Sequence, residues 1–187
     1  MEKRLSNGKV LRLMTGDLTK VTADVLVNAA NPLLAGGGGV DGAIHRAGGP
    51  SIMTELDEIR RRIGRCPAGS AVATAAGRLP AKFVFHAVGP VYRDGEQGEP
   101  DLLAACYRRT LRMAEEFGLT SIAFPSISTG AYGYPIQEAA RIAVRTIREH
   151  LSAPGGHVRE VTIVLFSRQD YGIYEQALGD VTEDTVE

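Results

Sequence analysis

Short β-branched or apolar runs alternate along the chain with longer segments of helical period, and this alternation constrains the fold more than any other feature. Such alternation is typical of an α/β domain with a mixed or largely parallel central sheet. We therefore predict about six strands, over Val10–Met14, Val25–Asn28, Ala71–Ala75, Phe83–Val88, Ile122–Ser126 and Val161–Phe166.

Apolar spacing predicts the helices. The residues Ile52, Leu56, Ile59 and Ile63 recur at helical intervals, and a second apolar stripe runs from Ile136 to Leu151. Pro135 precedes that stripe, where proline suits a first helical turn. Three further helices are expected, near Val40, from about Asp101 to Phe117, and from Ile173 to Leu178.

The chain is expected to form one domain. Its length of 187 residues and its 44% hydrophobic content suit a single core of ordinary size. No internal repeat or low-complexity linker divides it, and the APGGH segment at 153–157 reads as a turn between a helix and a strand. We predict a single domain over residues 1–187, with a core at about 9–178 and an acidic terminal segment at about 180–187 that frays.

The charge balance limits the possible partners. A formal net charge of −1, from 21 basic and 22 acidic residues, provides no general positive field. We therefore expect no duplex nucleic acid as a partner, since duplexes are held largely through their phosphates. The basic run of Arg60, Arg61, Arg62 and Arg65 is interpreted as a solvated helix end. An anionic ligand must then be held locally.

The cysteines and the first residues bear on the cellular compartment. Cys66 and Cys106 lie 40 residues apart without a CxxC motif or paired histidines, so we expect reduced thiols and no metal site. The opening MEKRLSNGKV lacks the apolar core of a signal peptide, and no apolar run reaches the length of about 18 residues that spans a bilayer. We expect a cytoplasmic protein with no membrane partner.

A glycine-rich loop follows the second predicted strand, in VLVNAANPLLAGGGGVDGAIHR at 25–46. Glycines just before a helix expose backbone N–H groups at its positive end, where a phosphate meets no Cβ. No Gly-Lys-Ser/Thr follows as in a Walker A loop, and seven residues separate the strand from the first glycine, unlike a Rossmann turn. The loop suits a pyrophosphate, although glycine content alone fits a flexible turn equally well.

A second donor-rich loop, FPSISTGAYGYP at 124–135, also connects a strand to a helix. Its serine, threonine and glycine residues leave hydroxyl and N–H donors with little steric cover. Two such loops at the carboxyl ends of strands predict one ligand crevice. Tyr132, between Ala131 and Gly133, is better suited to packing on a sugar or base than to filling the core.

Six segments, in this order, resemble macrodomains of the MacroD type. They are GDLT at 16–19, VNAAN at 27–31, GGGGVDGAIHRAGG at 36–49, CPAGSA at 66–71, FVFHAVGPVY at 83–92 and PSISTGAYGYP at 125–135. The resemblance spans about residues 9–178. It implies a three-layer α/β/α macrodomain fold that binds ADP-ribose and its derivatives. Neither a cofactor nor a metal is expected.

By this resemblance, Asp17 accepts a hydrogen bond from the adenine amino group, and Leu18 offers its backbone N–H. Phe166 packs against adenine, and Tyr132 lies beside the distal ribose. The sequence alone favours Asp17 as a turn residue, and the resemblance reverses that preference. Asn28, Asn31 and Asp41 are expected around the distal ribose. The pyrophosphate is expected at Gly37, Gly38, Gly39, Val40, Ser126, Ser128, Thr129, Gly130 and Ala131.

The same resemblance implies catalytic roles. Asp41 is expected as the general base and Asn31 as the group that orients the attacked or attacking oxygen, with His45 as an orienting partner of Asp41. His45 lies four residues after Asp41 and thus on the same helical face. Two alternatives stay open: Asp41 as an acid that stabilises the helix dipole, and a substrate pyrophosphate oxygen as the base. His86, inside an apolar strand, is interpreted as a core histidine.

The leading functional hypothesis is ester hydrolysis. The enzyme would release ADP-ribose from acidic side chains of mono-ADP-ribosylated proteins, deacetylate O-acetyl-ADP-ribose, or both. The alternatives are a non-catalytic ADP-ribose reader and a phosphatase acting on ADP-ribose phosphate. A nicotinamide dehydrogenase is disfavoured because no acidic residue lies about 20 residues after a strand-borne GxGxxG.

Overall fold

The computed structural model describes residues 1–183, in which seven strands and five helices follow one another. The strands are β1 (Glu2–Arg4), β2 (Val10–Thr15), β3 (Val25–Ala30), β4 (Ala71–Ala75), β5 (Phe83–Val88), β6 (Ser121–Phe124) and β7 (Glu160–Leu165). The helices are α1 (Gly39–Gly48), α2 (Ser51–Ile63), α3 (Glu99–Glu116), α4 (Ile136–Ser152) and α5 (Arg168–Glu183), and a short 3₁₀ helix covers Leu18–Lys20.

All the strands form one sheet in the order β1-β2-β7-β6-β3-β5-β4. The five central strands are parallel, and β1 and β4 pair antiparallel at the two edges. The predicted mixed, largely parallel sheet is confirmed, but the strand number is seven rather than six. The strand missing from the prediction, β1, is only three residues long and carries the charged sequence EKR, so it has no apolar pattern that reveals it.

Helices cover both faces of the sheet and give three layers. Because successive side chains of a strand point to opposite faces, Val25 and Val27 pack under α3, α4 and α5, whereas Leu26 packs under α1 and α2. The predicted three-layer α/β/α architecture is therefore confirmed.

The chain changes face between β3 and β6, which are neighbours in the sheet. After β3 it enters α1 on one face, and after β6 it enters α4 on the other. Loops that depart to opposite faces leave a crevice at the carboxyl ends of their strands, and open α/β sheets bind ligands there. Both glycine-rich loops begin at this point.

The C-terminal helix is longer than predicted. It begins at Arg168 rather than Ile173 and continues to Glu183, so it includes part of the segment expected to fray. Residues 184–187 of that segment lie outside the described residues. The Ser167 hydroxyl accepts a hydrogen bond from the Asp170 N–H at 3.1 Å and caps the helix start.

Both cysteines are free and buried. Burial raises the pKa of Cys66 and raises that of Cys106 to about 12. Across residues 1–183, no helix is long and apolar enough to cross a membrane. In the same part of the chain, no group of three or more His, Cys, Asp or Glu residues is arranged to hold a metal ion.

Candidate functional site

A cleft of about 400 Å³ opens at the carboxyl ends of β3, β5 and β6. Eleven of the residues predicted from the sequence line it: Asn31, Gly37, Gly38, Gly39, Val40, Asp41, Ser126, Ser128, Gly130, Ala131 and Tyr132. Four further lining residues were not predicted: Ala29, Ala30, Gly89 and Ile127. The two glycine-rich loops thus form the walls of one cleft.

The first loop opens the N-terminus of α1 to this cleft. Gly38 is the residue that precedes the helix, and no side chain caps the helix start. A Cβ atom added to Gly38 or Gly39 would meet nothing within 4 Å, and Gly39 has a φ of +56° that favours glycine. Exposed N–H groups and the positive end of the dipole therefore face open space, as an anion requires.

The second loop is a turn fixed against the segment that follows β5. The Gly133 N–H donates to the Gly130 carbonyl at 3.0 Å, and the Tyr92 N–H donates to the Tyr132 carbonyl at 2.9 Å. A Cβ at Gly130 would meet no atom within 4 Å. This loop also leaves its backbone open to the cleft.

Close packing explains the unpredicted Gly89. A Cβ there would lie 2.1 Å from the Ser128 Oγ and 2.6 Å from an Ile127 methyl carbon, so no larger residue fits. Ser128 itself has a φ of +66°, and its buried Oγ has no hydrogen-bond partner within residues 1–183. The sequence signal was the glycine of the VGPVY segment, which implies a close backbone approach.

Two residues of this loop that were predicted to bind the ligand, Ser126 and Thr129, use their hydroxyl groups in hydrogen bonds within the protein. The Ser126 hydroxyl lies 2.7 Å from the Tyr174 hydroxyl and accepts a 2.8 Å hydrogen bond from the Thr129 hydroxyl. Thr129 is not part of the cleft wall. The hydroxyl groups of Ser126 and Thr129 thus stabilise the loop, and the loop donors left without a partner within residues 1–183 are backbone N–H groups and the Ser128 hydroxyl.

Asp41 is 6% exposed, and its two carboxylate oxygens have different environments. Oδ1 accepts a 2.8 Å hydrogen bond from the Asn28 Nδ2 and lies 3.3 Å from the His45 Nε2. Oδ2 lies 3.5 Å from the position of a Cβ at Gly37, and no donor in the described chain bonds to it. One oxygen is fixed, and the other faces the cleft.

The Asn31 side chain also lies close to Gly37. Its Nδ2 donates to the Gly36 carbonyl at 2.8 Å, and its Oδ1 accepts from the Ala35 N–H at 3.3 Å. The Nδ2 atom lies 4.0 Å from the position of a Cβ at Gly37. Asn31 therefore holds its own loop, and its amide nitrogen and the free oxygen of Asp41 both lie within 4.0 Å of the Cβ position of Gly37.

Asn28 and His45 lie behind this pair rather than in the cleft wall. Asn28 is fully buried inside β3, directly opposite His86 of β5, and it bonds to Asp41. The His45 side chain is 17% exposed, and its ring stacks at 6.3 Å from that of His86. Both were predicted as site residues, and both contact Asp41.

Tyr132 lines the cleft on the side of the second loop. Partial burial raises the pKa of its phenol, and the negative charge of Asp41 raises it further. Tyr132 and Asp41 both belong to the wall of the cleft.

The residues predicted to bind adenine lie together at the ends of β2 and β7, beyond the wall of the cleft. A 3.0 Å hydrogen bond from the Gly16 N–H to the Leu165 carbonyl joins the two strand ends. Asp17 and Phe166 are the next residues after this bonded pair. The Leu18 side chain is buried, whereas the Phe166 ring is 92% exposed. An unpacked phenyl ring of this kind is available for stacking.

Thr19 orients the Asp17 carboxylate. Oδ1 accepts hydrogen bonds from the Thr19 hydroxyl at 2.6 Å and from the Thr19 N–H at 2.9 Å, and these bonds lower the pKa of Asp17. Oδ2 has no hydrogen bond to any residue of the part that the structure describes. Asp17 is thus an ionised acceptor with one oxygen unused.

Comparisons with known proteins place this chain among related proteins. The model of the Macro domain family matches residues 27–143. A macro domain-containing protein of Caldanaerobacter subterraneus subsp. tengcongensis is 52% identical over 167 residues, which cover 89% of this chain and 94% of that protein. The O-acetyl-ADP-ribose deacetylase of Escherichia coli K12 is 49% identical over 170 residues, covering 90% and 94%. A mutant Oceanobacillus iheyensis macrodomain solved with ADPR aligns with a TM-score of 0.93 and 43% identity, over 98% of both chains.

Proposed function

This chain belongs to the macro domain family, and we propose that it binds ADP-ribose in the cleft and hydrolyses an acyl ester at the distal ribose. The substrates are O-acetyl-ADP-ribose and proteins whose aspartate or glutamate side chains carry a single ADP-ribose. Both reactions break the same kind of bond.

The observation that carries this proposal is the unequal use of the Asp41 oxygens. Asn28 fixes Oδ1, while Oδ2 faces the cleft beside Asn31. A general base needs a free oxygen with a defined direction, and a carboxylate that served only the helix dipole would not need to be held from behind. This arrangement favours catalysis over binding alone.

The glycine loops suit the pyrophosphate. The open positions at Gly38, Gly39 and Gly130 offer backbone N–H groups from both walls without side chains between them. The ligand then extends from the ends of β2 and β7 to the carboxyl end of β3. Its adenine lies between Asp17 and Phe166, and its distal ribose lies at Asn31, Asp41 and Tyr132.

Hydrolysis consumes one water molecule and needs two proton transfers, one to Asp41 and one from it. The Asp41 Oδ2 accepts a proton from water held by the Asn31 amide, and the water oxygen bonds to the acyl carbon. The bond from the acyl carbon to the ribose oxygen then breaks. Protonated Asp41 returns its proton to that oxygen, which leaves a carboxylic acid and ADP-ribose with its hydroxyl restored.

The relatives support the same class of reaction. The E. coli relative is named O-acetyl-ADP-ribose deacetylase, as is that of Cronobacter turicensis, which is 46% identical over 92% of this chain. We assign the activity to a single domain over residues 1–187. The modified partner proteins and the cytoplasmic location stay predictions from the sequence.

A comparison of three substrates tests the proposal. Purified protein is incubated with O-acetyl-ADP-ribose, with a glutamate-linked mono-ADP-ribosylated protein, and with ADP-ribose 1″-phosphate, and the released acetate, ADP-ribose and phosphate are measured. We expect release from the two esters. Calorimetric binding of ADP-ribose without any release would instead identify a reader module, and release from the phosphate alone would identify a phosphatase.

A further inference from the structure

A chain of buried polar groups runs behind the cleft from the edge of the sheet to Asp41. It consists of Thr74 in β4, His86 in β5, Asn28 in β3 and Asp41 in α1, which are 3%, 0%, 0% and 6% exposed. The Thr74 Oγ1 lies 2.9 Å from the His86 Nε2, the His86 Nδ1 lies 3.1 Å from the Asn28 Nδ2, and Nδ2 lies 2.8 Å from the Asp41 Oδ1.

The hydrogen-bonding groups at the two ends, Thr74 and Asp41, fix the direction of every hydrogen bond in this series of polar groups. The Thr74 hydroxyl donates to the Ala75 carbonyl at 2.9 Å, so its oxygen accepts the N–H of the His86 Nε2. The His86 Nδ1 is then an acceptor, and the Asn28 amide donates one hydrogen to it and the other to Asp41. His86 must be neutral for this arrangement. Burial, with the nearby His45, lowers its pKa to about 3.

The unpaired side-chain oxygen of Asn28 shows that the orientation of this amide group is important. The Asn28 Oδ1 is buried and has no hydrogen-bond partner within residues 1–183, which is a destabilising arrangement. A rotated amide would place that oxygen against two acceptors, the His86 Nδ1 and the Asp41 Oδ1. The acceptor on His86 therefore holds the amide with its donors towards Asp41.

We propose that His86, itself oriented by Thr74, is a positioning residue for the reaction. It fixes the Asn28 amide, and through it the Asp41 carboxylate, so that Oδ1 is bound from behind and Oδ2 faces the substrate. This inference rests on the proposed hydrolysis. It assigns to a histidine with no access to the cleft a role in the geometry of the general base.

Thr74→Val tests the proposal with little change of shape. Valine has nearly the same volume as threonine but cannot accept the His86 N–H, so His86 is free to adopt the other tautomer. We expect kcat on O-acetyl-ADP-ribose to fall by about 10- to 100-fold, the range for a slightly misplaced catalytic group, with KM and the Kd for ADP-ribose within about twofold of the parent.

Thr110→Val is the matched control. Thr110 is also fully buried, but its hydroxyl donates to the Cys106 and Tyr107 carbonyls inside α3, away from the chain of polar groups. Thr74→Val loses the hydrogen bonds to the Ala75 carbonyl and the His86 ring, and Thr110→Val loses those to the Cys106 and Tyr107 carbonyls, so the melting temperatures of both variants should fall. Only Thr74→Val should lose kcat. Equal kcat in the two variants would overturn the proposal.

His86 supplies a second pair of variants. In His86→Gln the side-chain oxygen can accept from the Asn28 amide, so part of the kcat should return relative to His86→Leu, which offers no acceptor. Equal kcat in these two variants, when both are folded by circular dichroism, would contradict the positioning role.

The His86 tautomer can be read directly. In ¹⁵N NMR spectra of the parent, we expect the His86 ring to carry its proton on Nε2 between about pH 5 and 8. A proton on Nδ1 would overturn the proposal. Failure of the proposed function is distinguishable, because it would appear as a parent protein that binds ADP-ribose but shows no turnover.

Discussion

The Nδ2 of Asn28 donates a hydrogen bond of 2.8 Å to the Oδ1 of Asp41, and this contact gives the two carboxylate oxygens separate roles. The bound oxygen fixes the side chain, and the free oxygen faces the cleft. Because Asn28 is fully buried, its effect on a ligand passes through Asp41.

Asn31→Ala should lower ester hydrolysis by about 10- to 100-fold, less than removal of the base, because water can replace an orienting amide in part. The variant also loses the bonds to the Gly36 carbonyl and the Ala35 N–H, so ADP-ribose affinity should fall modestly. Steady-state kinetics and calorimetry measure the two effects. Near-normal turnover would remove Asn31 from the mechanism.

Gly38→Glu and Gly130→Glu should abolish ADP-ribose binding without unfolding the protein. The added Cβ meets no atom within 4 Å at either position, so the new carboxylate projects into the space assigned to the pyrophosphate. Gly179→Glu, on α5, adds the same group where the Cβ is also unobstructed and serves as the control. Calorimetry gives the affinity and thermal unfolding gives the stability. Unchanged affinity in both loop variants would mean that the phosphates lie elsewhere.

The loops of the site were predictable because their glycines mark positions where a ligand replaces a side chain. The position of Asn28 behind the cleft was not predictable, because a polar residue at the end of a predicted strand can face either a ligand or the next strand. That choice depends on the register that sets Asn28 opposite His86, which joins residues far apart in sequence. The early start of α5 was missed because Gly172 weakens its helical pattern, although Ser167 and Asp170 form a capping signal.

Asp17→Ala should weaken ADP-ribose binding by about 10- to 150-fold, as expected for a hydrogen bond to a charged acceptor worth about 1.5 to 3 kcal/mol. The parent should also prefer ADP-ribose over inosine diphosphate ribose by at least about tenfold, because hypoxanthine presents a carbonyl oxygen where adenine presents an amino group. Competition binding measures both. If the parent lacks this preference, or if the variant keeps it, Asp17 is only a turn residue.

Glu99 should make the free energy of unfolding depend on pH under acidic conditions. Burial alone would raise its pKa, but backbone N–H groups, including those of Arg93, Gly95 and Gln97, donate to it and lower the pKa to about 2. A carboxyl pKa that is lower in the folded state stabilises the protein fully above its unfolded value near 4.5, and the effect is lost as the pH falls towards 2.

The comparison of the parent with Glu99→Gln isolates this effect. The difference between their free energies of unfolding in urea should be largest near pH 7 and should shrink between about pH 4.5 and 2. A difference that stays constant or grows in acid would mean that Glu99 contributes no such linkage.

Asp41→Ala tests most directly whether Asp41 is the general base of a hydrolase. Turnover of O-acetyl-ADP-ribose and calorimetric binding of ADP-ribose are measured on the same preparations of parent and variant. We predict that turnover falls by about 100- to 10,000-fold while affinity changes by less than about tenfold. Turnover that persists in the variant, or turnover and affinity that fall together, would contradict the account.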